Sequence, residues 1–332
     1  MAGPAGAALA GTGQVSTGQV STVYAGSRPA GTAPPGAAPA GTAAADALAA
    51  GALAGAAPAD QVARAPAGKA GRGPNARVGP LGPVVAAVLA VLAQIGYPLV
   101  HGSARADLTV ATVLIFCAAS TGHALTTRGR WVGAALLATF TLGGWLVDAI
   151  GVATGLPFGR YEYSRQLGPA VLGVPLVVGP AWCMMAWPAY LAATRLLRTS
   201  RPVARPRRPA RVLLAAVALT GWDLFLDPQL AGEGYWTWRQ PSPALPGVPG
   251  VPLSNYAGWL LATVLLMAAF EALAGRAAAR PGPDAVPVGL YLWTYGSSVL
   301  AHAAFFDRPG SAAWGALGMG LVAVPLAATL PR

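Results

Sequence analysis

From Leu81 onward the chain is a succession of apolar stretches about twenty residues long, several of which carry a carboxylate near one end. In helical form, a stretch of roughly twenty residues crosses about 30 Å, the thickness of bilayer hydrocarbon. In that medium every backbone N–H and C=O has to be satisfied within the structure, which leaves helices or a closed barrel. Segments this long and this continuously apolar select the helix. The composition agrees, with 55% apolar and only 10% charged residues. The expected fold is therefore all-α, a polytopic membrane helix bundle of about eight transmembrane helices. Spans are predicted near 82–101, 107–126, 131–152, 169–194, 210–228, 253–274, 286–304 and 311–330. Pro and Gly interrupt the first and the last.

Residues 1–80 form a second region, rich in Ala, Gly, Pro, Ser and Thr, with TGQVS repeated at 12–16 and 17–21. Such a segment buries too little apolar surface to offset its ordering entropy, so a disordered low-complexity tail is expected ahead of the membrane domain at 81–332. It lacks the basic start and apolar core of a signal peptide. Cys117 and Cys183 both fall inside apolar runs and read as buried thiols rather than a disulfide.

The net charge of +11 does not point to nucleic acid, because the basic residues lie mostly in the tail and in short connections. If the tail is inside, Arg128, Arg130, the run from Arg195 to Arg211, Arg276, Arg280 and Arg332 are inside too. The outer connections keep Arg105, Arg160, Arg165, Arg239 and Arg308, mostly beside acids. The positive-inside rule then places the protein in the cell membrane with both termini cytoplasmic. This orientation gathers Asp148, Asp223, Asp227, His302 and Asp307 at the outer ends of their spans, with Arg160, Glu162 and Glu233 in the outer loops.

A carboxylate inside hydrocarbon costs about 2.5–3.5 kcal/mol at a helix centre on insertion scales, so it marks a working site by default. Asp223 and Asp227 in GWDLFLDPQ are four apart and project from one helical face, a spacing that lets two acids share protons. That pattern suits a general acid and its partner base, although Asp227 with Pro228 also reads as a helix end. Asp148 in WLVDAIG reads equally as a site acid or as the partner of Arg160. FGRYEYS at 158–164 and EGYWTWRQP at 233–241 are aromatic outer loops, readable as interfacial belts or as a lid over an apolar substrate. In GVPLSNYAGW, Asn255 reads as a water ligand or a helix cap, with Ser254 the better cap. Tyr291, Tyr295, Ser298 and His302 form a polar stripe open to helix–helix hydrogen bonding or to a site. Glu271 reads as an interfacial acid paired with Arg276. Three histidines are too few for a histidine-rich metal centre, and neither a dinucleotide fingerprint, a phosphate loop nor a GxSxG elbow is present.

At FGRYEYSRQLGPAVLGVPLVVGPAW, TGWDLFLDPQLAGEGYWTW and GVPLSNYAGWLL the chain resembles the integral-membrane carotenoid biosynthesis family, which includes carotenoid hydratases. The likeness runs over residues 85–325. It implies addition of water across the terminal double bond of a linear carotenoid ψ-end, giving a tertiary alcohol, with the substrate in the bilayer, no cofactor and no metal. Contacts with other enzymes of the pathway are a further expectation. Protonating a trisubstituted alkene gives a tertiary cation, which calls for a sheltered acid, aromatic faces and a second carboxylate to deprotonate the incoming water. Asp223, Asp227 and Asp148 are the candidate catalytic acids. Trp145, Arg160, Tyr161, Glu162, Trp222, Trp236, Asn255, Tyr295 and His302 are the candidate substrate-binding residues. Two other readings stay open. One is an intramembrane prenyltransferase, for which DLFLD offers one acidic pair and no second cluster; the other is a non-enzymatic carotenoid carrier.

Overall fold

The computed structural model describes residues 81–199 and 207–330. The low-complexity tail expected over 1–80 lies outside the described residues. The helices are α1 Leu81–Gly96, α2 Ser103–Arg128, α3 Arg130–Leu136, α4 Gly143–Thr154, α5 Val178–Thr199, α6 Arg207–Gly232, α7 Leu253–Ala278, α8 Ala285–Ala304 and α9 Pro309–Ala327. A π-helical turn, Leu137–Leu142, joins α3 to α4 into one rod, so the described residues form eight rods where eight spans are expected.

The rods form a ring around α5. Neighbour packs neighbour in the order α1, α2, α3–α4, α7, α6, α9, α8, and α8 returns to α1 through the thinnest seam. α5 is buried without a break from Trp182 to Thr194. This position accounts for its composition. Six rods are long and apolar enough to cross a membrane on their own terms, while α5 and α8 are not among them. A helix wrapped by protein need not dissolve in lipid. The outward faces of the surrounding rods carry the exposed leucines and valines, as a lipid-facing wall requires.

The fourth span begins later than expected. Residues 169–177, apolar enough to read as the start of a helix, instead make a small hairpin of β2 Ala170–Val171 and β3 Val174–Pro175. Leu172 and Gly173 take positive φ (51° and 78°) at its turn, a conformation that ends any helix there. Two further short strands, β1 Tyr161–Tyr163 and β4 Trp236–Trp238, pair antiparallel across the same end of the bundle.

Three helices contain an internal proline, Pro188 in α5, Pro228 in α6 and Pro325 in α9, which removes the donor to the carbonyl four residues earlier. In the first two, a serine from a neighbouring helix replaces it. Pro188 in α5 frees the Met184 carbonyl, which accepts from the Ser120 hydroxyl at 2.7 Å. Pro228 in α6 frees the Leu224 carbonyl, which accepts from Ser311 at 2.8 Å. Inside a bilayer this repair is what allows a proline to stay.

The opposite end of the bundle is held by buried ion pairs. Glu271 is bound twice by Arg211 and accepts the Tyr190 hydroxyl at 2.7 Å, so its partner is Arg211 from α6 rather than the expected Arg276. Arg128 pairs with Asp284, with Arg198 3.7 Å from the same carboxylate. His123 sits at this end too, 3.0 Å from the Pro283 carbonyl. Cys117 and Cys183 are buried free thiols.

Candidate functional site

The site is at the other end of the bundle, under the β1–β4 pair. Its register sets Tyr161 against Trp238, Glu162 against Thr237 and Tyr163 against Trp236. Side chains alternate across a strand. Tyr161, Trp236 and Trp238 are buried accordingly, while Glu162 and Thr237 face outward. The two aromatic loops are thus one lid, joined ring against ring at 5.7 Å for Tyr161–Trp238 and 5.5 Å for Tyr163–Trp236. Trp238 donates to the Phe158 carbonyl at 3.1 Å, tying the lid to the end of α4.

Beneath the lid is a cavity of about 180 Å³. Its walls come from α2, α4, α5, α6, α7 and α8, and they include Asp148, Asp227, Asn255, Tyr161, Trp182, Trp222, Trp236 and Trp259. Trp182 and Trp259 stack at 4.1 Å with their planes 12° apart, and Trp222 meets Trp259 edge-on. The far side of the cavity, at the seam between α1 and α8, is lined by Gln94, Thr294, Ser297 and Ser298.

Asp148 on α4 is buried and accepts three hydrogen bonds: from Tyr161 at 2.7 Å, from Tyr163 at 2.7 Å and from the Trp182 indole at 2.6 Å. Three donors on one carboxylate favour its ionised form. Burial, and after it the charge of Asp148, push the Tyr161 and Tyr163 hydroxyls above the ordinary phenol range, so both remain donors. Gly151, one turn beyond Asp148, permits this approach: a Cβ there would come within 2.9 Å of the Tyr161 hydroxyl.

Asp223 and Asp227 leave one face of α6, and both carboxyls converge on the amide of Asn255 at the start of α7. Asp227 lines the cavity, while Asp223 is fully buried behind it, with its Oδ1 unmatched by any partner among the described residues. Asn255 thus binds the two aspartates. Ser254 is not the expected cap; the helix N-cap is Pro252, and Ser254 donates to Phe158 O at 3.4 Å.

The remaining candidates lie away from the cavity. Arg160 and Glu162 are exposed, with Glu162 3.8 Å from Arg239, and Arg160 does not reach Asp148, whose partners are aromatic. Trp145 is partly buried against the hydrophobic core and does not line the cavity. Tyr295 donates to Ala316 O on α9 at 3.3 Å, and Tyr291 to Ala218 O at 3.1 Å, so much of the α8 stripe serves helix packing. His302 is fully buried behind Gln229. Reading the sequence misses Tyr163, Trp182, Trp238, Trp259 and Gln229, all of which line the cavity. For Tyr163 and Trp238 the signal was present, as each is two residues from a named aromatic on the same strand face.

The family model for "Carotenoid biosynthesis protein" matches residues 108–325, about two thirds of the chain. The chain is 35% identical over 152 residues to the bisanhydrobacterioruberin hydratase of Haloarcula japonica, a stretch covering 46% of this chain and 48% of that protein. The match thus spans about half the length of the curated relative. No solved structure matches. The family match covers α2 through α9 almost entire, with every acid of the cavity inside it, and the chain belongs to the carotenoid biosynthesis protein family.

Proposed function

We propose that this membrane protein hydrates the terminal C=C of a linear carotenoid, with Asp227 as proton donor and Asp148 as the carboxylate that receives the proton of the attacking water. The observation that carries this reading is that Asp227 and Asp148 open on one aromatic-walled cavity in two different hydrogen-bonding states. Asp148, held by three neutral donors, rests as the anion that can take up a proton. Asp223 and Asp227 share one amide donor in an apolar enclosure, where two like charges cannot both persist, so the pair carries a proton between them. Asp227 delivers it to the less substituted alkene carbon. The π pair becomes the new C–H bond, and the tertiary cation forms beside the cluster of Trp182, Trp222 and Trp259, whose free faces stabilise positive charge. Water closes the C–O bond and passes its extra proton to Asp148, which returns it to the Asp223–Asp227 pair before the next turnover. The related hydratase and the family match support the same chemistry.

The cavity suits one end of a long polyene, and the rest of the substrate leaves through the α1–α8 seam into lipid. The arginine-rich end faces the cytoplasm in this reading, which puts the cavity in the outer half of the membrane. The test is expression in a host that makes a linear carotenoid, with product analysis by HPLC–mass spectrometry in H₂¹⁸O. An ¹⁸O-labelled tertiary alcohol from the wild type, absent from Asp223→Asn/Asp227→Asn, is expected. Unchanged carotenoid from the wild type, or full activity in the double variant, refutes the proposal.

A further inference from the structure

Gln229 lies two residues beyond Asp227 on the same cavity wall, and behind it runs a hydrogen-bonded chain that the acid chemistry leaves unused. The chain starts at Pro228. With no N–H at that position, the Leu224 carbonyl has lost its helical donor and takes the single proton of Ser311 at 2.8 Å. Ser311 Oγ is therefore an acceptor toward His302 Nδ1, which lies 3.0 Å away and must carry the ring proton. In the neutral ring, His302 Nε2 is left as an acceptor, yet the Gln229 atom placed 3.3 Å from it is Oε1, a second acceptor, so the side-chain amide has to be turned over. An acceptor there requires the NH₂ end of Gln229. The two ends of a side-chain amide are distinguished only by such a network. The Gln229 carbonyl oxygen then turns to the side of the Tyr97 hydroxyl and the cavity.

Resting on the hydration reading above, we infer that Gln229 is the positioning residue for the attacking water. Its carbonyl oxygen accepts one O–H of that water and turns the oxygen lone pair toward the cation, while Pro228, Ser311 and His302 fix the sense of the amide. A carbonyl oxygen suits this position because it takes no proton and leaves Asp148 to receive it. Without a held water, the cation has one other exit. It loses a proton back to the aspartate pair and returns as alkene.

That alternative exit supplies the test. Full-length protein in lipid nanodiscs is given a linear carotenoid in D₂O, and two products are counted: the alcohol, and recovered alkene that has gained deuterium. Wild type yields mainly alcohol. Gln229→Leu is expected to lower the ratio of alcohol to deuterated alkene at least tenfold, with exchange itself preserved because Asp227 still donates. Ser311→Ala, which frees His302 to change tautomer, is expected to lower the same ratio less, and Ser311→Thr to restore it. A merely structural role would reduce alcohol and exchange together, and that outcome overturns the inference. A wild-type ratio in Gln229→Leu also overturns it, with the hydration reading left standing. Neither alcohol nor exchange from the wild type removes the hydration reading, and this inference with it.

Discussion

Replacing Asp148 by Asn separates the charge of the site from its shape. The carboxylate holds three donors, two tyrosine hydroxyls at 2.7 Å and one indole N–H at 2.6 Å. An asparagine placed with its oxygen toward Trp182 keeps that bond. Its NH₂ then faces Tyr161 and Tyr163, and phenolic hydroxyls rotate from donor to acceptor without moving a heavy atom. All three contacts survive as neutral hydrogen bonds. Each falls by about 1 kcal/mol in going from charge-assisted to neutral, about 3 kcal/mol in all, which the relieved cost of burying an anion, several kcal/mol, offsets. The variant should therefore fold with a Tm within a few degrees of the wild type. Its chemistry should not survive: losing a fixed charge aimed at a developing ion costs about 3–4 kcal/mol, or roughly 10²–10³ in rate. The assay is alcohol formed per folded molecule in nanodiscs, beside a melting curve of the same sample. Activity within threefold of the wild type at unchanged Tm would show that the Asp148 anion does no chemistry, and the assignment of Asp148 would fail.

Asp227→Asn should abolish both alcohol and deuterium exchange, because the group on the cavity wall can no longer donate, whereas Asp223→Asn, one layer behind, should retain measurable exchange. Equal loss in both would contradict this order. Gly151→Ala sets a methyl 2.8 Å from Phe158 Cδ2 and 2.9 Å from the Tyr161 hydroxyl, and should lower kcat about tenfold by displacing one donor from Asp148, a loss of roughly 1.4 kcal/mol. Gly289→Ala on α8, where an added Cβ meets nothing within 4 Å, should leave kcat unchanged. Glu271→Gln breaks the buried pair with Arg211 at the far end and should cost about 3–5 kcal/mol of stability, read as a lowered Tm, with the rate per folded molecule retained.

The helices were legible because hydrocarbon imposes one period and one length on anything that crosses it, and the acids because hydrocarbon makes them costly. Residues 169–177 misled for the same reason: an apolar run reads alike as helix or as hairpin, and only the backbone turn at Leu172 and Gly173 decides. The β1–β4 register joins residues 73 to 77 positions apart, and nothing local announces that Tyr161 will meet Trp238. Without that register, Arg160 was the natural partner for Asp148, since opposite charge is the only affinity visible in a string of letters. A proline inside a helix frees a carbonyl, as Pro188 and Pro228 do. Which serine would answer each, Ser120 or Ser311, depended on the order of the ring.

The two ends of α6 show what distinguishes a working acid from a structural one in this membrane. At one end Glu271 is gripped by Arg211, with Arg208 3.9 Å away, and its charge is cancelled where it stands. At the other, Asp148, Asp223 and Asp227 have no arginine or lysine within ion-pair distance among the described residues. Their partners are phenols, an indole and an amide. A guanidinium would hold a carboxylate ionised through every step. Neutral donors fix its position just as well while leaving the proton free to move. Three acids placed in an apolar enclosure with no cation carry a desolvation cost that a purely structural element has no reason to bear, because Arg211 and Glu271 show that this bundle can neutralise a buried acid when the acid has only to hold helices together.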